Sequence, residues 1–278
     1  MQKYHIEKNT VQETLVIPLF GRMICSRRFP NLFLDPDAEM ICSQLDYDFS
    51  SRQKKMESLF GLFGAMEVAQ RQYDLAFEVK EYLKSHPRAA VVNLGCGLDN
   101  TFQRCDNGSA RGFNIDLPDV ITIRNEILPA RQREVNLGCD LSDFSWMDQI
   151  DGKEGAVFFA SGVFYYFRRD AVKELLVKMA ERFPGGMIAF DTCNAKGASM
   201  MTKTWLKEAG IHDIQAYFSL EDERELTSWS ENFASVTAKS YMCGYRDIRS
   251  EVSPFYRLMI WFCDHVVNMK IVQIRFRS

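Results

Sequence analysis

Between residues 52 and 83 the apolar side chains return at helical intervals, through Met56, Leu59, Phe63, Met66, Ala76 and Leu83, and no proline interrupts them. Spacings of three and four put these positions on one face, so the segment is predicted as one long amphipathic helix. His86-Pro87 ends it, because the residue before a proline is pushed out of the helical region. Upstream, Asp35-Pro36 predicts a turn or helix start ahead of residues 38–45. Residues 1–88 therefore read as a mainly helical N-terminal unit.

From residue 89 the period changes. Short runs that are apolar at every position alternate with helical segments. Strands are predicted at 89–94, 112–116, 155–160, 187–191 and 270–276, and helices at 119–128, 169–183, 202–209 and 255–268. Continuously apolar runs suit strands covered on both faces, and their alternation with helices makes the sheet mostly parallel. The expected fold is α/β: a mostly parallel, doubly wound sheet over residues 89–278, preceded by a helical cap over 1–88. Residues 211–245 are less regular; a lid or insertion is expected around 195–250, and a late strand within 211–245.

Composition narrows the function classes. The chain has 278 residues, 46% of them hydrophobic, which is enough for a sizeable core. A net charge of −3 gives no basic footprint, so nucleic acid is not an expected partner. The most apolar late stretch, residues 255–267, carries Arg257 and Asp264 and is too short to cross a bilayer; with no signal-peptide core at the N-terminus, no membrane partner is expected. Eight cysteines without a C-x-x-C pair, and only four histidines, give no metal-site spacing. No metal is expected, and the scattered cysteines fit reduced thiols in a cytoplasmic protein.

The sharpest local signal is Val91-Val92-Asn93-Leu94-Gly95-Cys96-Gly97-Leu98-Asp99, a strand running into a G-x-G turn. In a doubly wound sheet, ligands bind where such turns leave the carboxyl ends of strands. Asp116 follows Gly97 by nineteen residues, at the end of the next strand, where a carboxylate accepts ribose hydroxyls. The dinucleotide fingerprint needs a third glycine where this chain has Asn100, and Asp99 puts a carboxylate in the turn. A diphosphate would be repelled there. S-adenosylmethionine carries a sulfonium and an ammonium and no phosphate, so the acidic turn favours it over a nicotinamide cofactor.

These residues resemble the leucine carboxyl methyltransferase family, and within it the bacterial tetracenomycin-type polyketide O-methyltransferases. The resemblance rests on VVNLGCGLDNTFQR with Asp116-Leu117-Pro118-Asp119-Val120, and extends to Ile17–Arg22, Ser26-Arg27-Arg28, Asp35–Ala38, Phe144–Met147, Ser161–Phe167 and Lys270–Val272. It implies a Rossmann-like class I methyltransferase fold with a helical N-terminal cap, and S-adenosylmethionine as cofactor. By the same resemblance Asn93, Gly95, Gly97 and Asp99 belong to the turn along the methionine part of the cofactor. Asp116 would hold the ribose, with Leu117 and the Asp140-Leu141 pair beside the adenine. Arg71 would pair with the cofactor carboxylate, and Arg27 would be a second basic group there. Ser161 stands where many members have glutamate. It can still hydrogen-bond toward the cofactor, but it supplies neither a charge nor a base.

The resemblance implies O-methyl transfer to a small-molecule acceptor, a carboxylate or a hydroxyl, by direct displacement. A carboxylate acceptor needs no base, whereas a hydroxyl is helped by one. No base stands out among the dispersed histidines; Tyr165 and Tyr166 are the acceptor-pocket candidates, and Arg22 and Arg28 would suit an anionic acceptor. A homodimer is also expected. The competing readings are a protein C-terminal carboxyl methyltransferase, a nicotinamide-dependent oxidoreductase and a non-catalytic cofactor-binding relative.

Overall fold

The computed structural model describes residues 3–6, 11–203 and 217–278. The helical cap consists of α1 (Val11–Arg28), α2 (Pro36–Ser43), α3 (Ser50–Met56) and α4 (Leu59–Ser85). Asp35 caps α2, its Oδ1 accepting the Ala38 N–H at 3.0 Å, with Pro36 in the first helical position. The helix predicted as continuous from 52 to 83 is two helices. Ser58 turns extended (φ −66°, ψ 162°) and its hydroxyl accepts the Gly61 N–H, opening α4 as a new helix. A capping serine inside an apolar period overrides the period. Two short strands, β1 (Tyr4–His5) and β2 (Leu45–Asp46), pair in parallel beside the cap.

Among the described residues the main sheet has seven strands: β3 (Ala90–Leu94), β4 (Arg111–Asp116), β5 (Glu134–Gly138), β6 (Ala156–Ala160), β7 (Met187–Thr192), β8 (Phe233–Ser240) and β9 (Lys270–Phe276). Their order is β5-β4-β3-β6-β7-β9-β8. The first five are parallel, and β9 lies antiparallel between β7 and β8. Every residue of β3, β6 and β7 is buried, as their unbroken apolar runs predict. Helices α5 (Thr101–Cys105), α6 (Pro118–Ile127), α7 (Arg169–Arg182), α8 (Ala195–Met201) and α9 (Pro254–His265) complete the described α-helices, with short 3-10 turns between elements. The helix expected over 202–209 lies largely outside the described residues, while β8 occupies part of the range in which a lid or insertion is expected.

Side chains alternate along the strands between two cores. Val91, Phe159 and Ala189 pack with α1, α4 and α9, whereas Val92, Phe158 and Ile188 pack with α7 and Trp146. The cap is thus the layer on one face of the sheet, sharing a single core with it. From β3 the chain crosses to β4 on one side, while β6 lies on the other, so the sheet's switch point falls at the carboxyl ends of β3 and β6.

Candidate active site

The G-x-G turn opens at that switch point. Gly95 and Gly97 adopt φ of +64° and +45°, a region that costs a residue with a Cβ. A Cβ on Gly95 would lie 2.5 Å from Cγ2 of Val163, so the turns after β3 and β6 touch. Leu15 of α1 lies against Gly97. Asp116, at the end of β4, closes the other side: its Oδ2 accepts the Gly97 N–H at 2.7 Å and its Oδ1 the Leu117 N–H at 2.8 Å. Burial raises the Asp116 pKa, and these two N–H bonds oppose the rise. Leu117 is 39% exposed, an apolar side chain left open beside the carboxylate. The Cys139 N–H bonds the Asp116 carbonyl, bringing exposed Asp140 and buried Leu141 to the same end of the sheet.

Asp99 has a different part from the one the sequence suggests. Its Oδ1 accepts from Arg22 at 3.3 Å, from Gln72 at 2.6 Å and from Thr101 at 2.9 Å, and its Oδ2 from Asn93 at 3.2 Å. Arg22 is 5% exposed and also pairs with Asp35 at 3.1 Å. The carboxylate therefore joins α1 and α4 to the glycine turn, and Arg22 opposes its charge. The open acidic turn inferred from the sequence is corrected to a paired one. Asn93, 1% exposed, holds Asp99 from within β3. From below, buried Arg124 of α6 donates to the carbonyls of both Gly97 and Asp99 at 2.8 Å.

Across the switch point, Asp191 at the end of β7 is 2% exposed. It accepts the Gly162 N–H at 2.6 Å and pairs with Arg71 of α4 at 3.0 Å. Gly162 has φ +72°, and a Cβ there would sit 2.7 Å from the Arg71 guanidinium. Arg71 thus lies on the turn after β6, next to half-buried Ser161, and its buried Nε has no partner among the described residues. The two tyrosines diverge: Tyr165 is 2% exposed, while Tyr166 is 41% exposed. Burial pushes the Tyr165 phenol well above its usual pKa.

The structure therefore brings Gly95, Gly97, Asp99, Asp116, Leu117, Arg71 and Ser161 together at the carboxyl ends of the central strands, with Asp140 and Leu141 at the β5 side. Arg27 is not joined to them: at the end of α1 it forms an exposed pair with Glu39 at 2.5 Å, and Arg22, a turn and a half earlier, is the arginine that reaches the turn. His5, His86 and His265 pair away from these residues, with Asp46, Ser85 and Trp261, and His212 lies outside the described residues. Gln72, Arg124 and Asp191 were not identified from sequence as members of the site, and Arg22 was named only as a group for an anionic acceptor, not as the partner of Asp99. Asp191 carried a usable signal, an acid at the carboxyl end of a buried strand, as Asp116 is; the others become visible only through contacts distant in sequence. No group of His, Cys, Asp and Glu that could hold a metal occurs among the described residues.

This arrangement belongs to a known class of fold. Human N-acetylserotonin methyltransferase, solved with SAM, covers 94% of this chain and 72% of its own at a TM-score of 0.50 and 11% identity. The plantazolicin methyltransferase BpumL covers 96% of this chain and all of its own at a TM-score of 0.51 and 15% identity. A DUF574 family protein from Streptomyces avermitilis reaches 0.61 over 86% of this chain and 94% of its own, at 13% identity. The fold is the Rossmann-like methyltransferase fold.

Within that class the family is defined by sequence. The model for leucine carboxyl methyltransferase matches residues 16–180, more than half of the chain, and the chain belongs to that family. A curated relative, the tetracenomycin polyketide synthesis O-methyltransferase TcmP of Streptomyces glaucescens, is 29% identical over 182 residues. The match spans 65% of this chain and 65% of TcmP, less than two thirds of that relative's length.

Proposed function

We propose that the protein is an S-adenosylmethionine-dependent O-methyltransferase acting on a small-molecule carboxylate or hydroxyl. The observation that carries this reading is the Gly97 N–H. A dinucleotide diphosphate would need that donor, and here the Asp116 carboxylate already takes it at 2.7 Å. Both Asp116 oxygens keep lone pairs for ribose hydroxyls. Leu117 offers an open apolar surface for a base, and the partnerless Nε of Arg71 suits a carboxylate. The residues present therefore fit the methyl donor.

When bound, the donor supplies a methyl group already activated on a sulfonium. The chain's contribution is to orient that group and exclude water. Arg71, fixed by Asp191, sets the methionine end, and Asp116 sets the ribose end. Membership in a methyltransferase family and the resemblance to TcmP support this assignment. The eight cysteines, all free thiols, support a cytoplasmic location, and exposed Leu59, Phe60, Leu258 and Trp261 support a homodimer. Among the described residues no helix is long and apolar enough to cross a membrane.

Calorimetry with S-adenosylhomocysteine tests the reading. The wild-type chain should bind it, and Asp116→Asn should bind it about tenfold more weakly, a loss of about 1.4 kcal/mol. No binding by a folded sample, or binding of NADH in its place, overturns the assignment.

A further inference from the structure

Arg71 is held from across the sheet. Helix α4 carries it over the turn after β6, and its partner Asp191 stands at the carboxyl end of β7, 120 residues away in sequence. The two oxygens of Asp191 have separate tasks. Oδ2 accepts from Nη1 of Arg71 at 3.0 Å, and Oδ1 accepts the Gly162 N–H at 2.6 Å. One carboxylate thus ties the cap helix, the turn after β6 and the end of β7 to each other.

The pairing leaves part of the guanidinium unused. Arginine–carboxylate pairs are strongest when both oxygens meet the guanidinium in a two-pronged bond. Asp191 spends its second oxygen on the backbone, so it reaches Nη1 alone, and the buried Nε has no partner among the described residues. The Arg71 side chain keeps 14% of its surface, against 2% for Asp191. The guanidinium is therefore open to a ligand, and the carboxylate behind it is not. The Gly162 turn closes another side, since a Cβ there would stand 2.7 Å from Nη1 and 3.2 Å from Nη2. Buried Tyr165 and Tyr241 lie near enough to sense the pair's charges. In such surroundings a guanidinium without a counter-charge is costly and would leave its place.

We propose that Asp191 is a positioning residue for cofactor recognition: it presets Arg71 and the Gly162 turn so that the unused edge of the guanidinium receives the ligand's carboxylate. The proposal rests on the methyltransferase reading above and deepens it, because it makes carboxylate recognition depend on a residue that does not touch the ligand. Arg71 is held charged and in place before the ligand arrives, so binding does not have to order it. The Gly162 N–H fixes the carboxylate in turn, and Asp191 does not follow Arg71 if the arginine moves. The pair is also neutral as a unit. The methyl donor, with its sulfonium and ammonium, thus meets a neutral pair rather than an isolated cation, and still finds donors for its carboxylate.

Calorimetry on the full chain tests this with two ligands: S-adenosylhomocysteine and its decarboxylated analogue, which keeps the adenosine, the sulfur and the amine. Wild type should bind S-adenosylhomocysteine about tenfold or more tightly than the analogue. Asp191→Asn keeps an oxygen for the Gly162 N–H but turns an uncharged amide toward Arg71. It should weaken S-adenosylhomocysteine about tenfold and the analogue less than about twofold. Asp191→Ser, a smaller acceptor without charge, should show the same split and serves if the amide variant does not fold. In an Arg71→Met background, D191N should cost less than about a further twofold, since its effect runs through the guanidinium. Equal losses for the two ligands, unchanged S-adenosylhomocysteine affinity, full additivity with R71M, or loss of the fold in both Asp191 variants overturns the proposal. So does a wild type that binds the two ligands equally, a result that leaves the methyltransferase reading intact. Binding of neither ligand by folded wild type would instead defeat that reading.

Discussion

Replacing Asp99 separates its role as a clamp from any role as a charge. At 3.3 Å and an effective dielectric near 20, the gross attraction between Arg22 and Asp99 is about 5 kcal/mol, most of it offset by taking both groups out of water. Asp99→Asn keeps an oxygen for Arg22, Gln72 and Thr101 and loses only the charge assistance, about 1–2 kcal/mol. The new amide meets Asn93, whose own buried Oδ1 has no partner, so a flip of the Asn93 amide restores that contact. Asp99→Ala removes all four contacts to this carboxylate at once; Arg22 keeps Asp35 and Gln72 keeps Asn100, but the Arg22 Nη1, Thr101 and Asn93 donors are left facing a cavity, at a cost of about 3–5 kcal/mol. Urea unfolding measures both, and the slope should stay constant while the midpoints separate. A D99A loss under about 1 kcal/mol, or equal losses in the two variants, would falsify the clamp.

Two further changes probe the site and the buried charge beneath it. Gly162→Ala forces a Cβ into a φ of +72° and against the Arg71 guanidinium; the strain alone costs about 1–2 kcal/mol, and displacing Arg71 should weaken S-adenosylhomocysteine binding about tenfold, so unchanged affinity by calorimetry refutes the Arg71 placement. Asp74, fully buried on α4, has its pKa pushed by burial from 3.8 up to about 9, the Gln70 hydrogen bond opposing. The folded chain thus holds a proton that the unfolded chain releases, so this group's contribution is present below pH 4 and is lost as pH rises toward 9. Asp74→Asn should flatten the decline in melting temperature between pH 5 and pH 9, and parallel declines in the two proteins would refute the assignment.

The sequence revealed most where the environment was uniform. β3, β6 and β7 are buried on both faces, and unbroken runs such as Ala156-Val157-Phe158-Phe159-Ala160 leave no other reading. β5 went unseen, and β8 was expected only as a late strand somewhere within 211–245, because they are the two edges of the sheet. Glu134-Val135-Asn136-Leu137-Gly138 is never fully buried, so selection for apolar side chains is weak there. The Gly97–Asp116 pair was legible because the two residues terminate adjacent parallel strands, which fixes their proximity from sequence spacing. The partners of Asp99 were not, because Arg22 comes from 77 residues away on a helix whose orientation the sequence does not state. The charge argument erred for the same reason: counting Asp99 as an open negative group ignored a counter-ion that only the packing of α1 supplies.

The placement of β9 has a consequence for how the molecule is made. Among the described strands β9 comes last in chain order, yet it lies between β7 and β8 and is the only described neighbour of β8. During synthesis β8 emerges with no edge to join, and β7 exposes an open ladder toward empty space. The sheet can be completed only after residues 270–276 have left the ribosome, so a nascent chain stalled before them would present two unpaired edges to its neighbours.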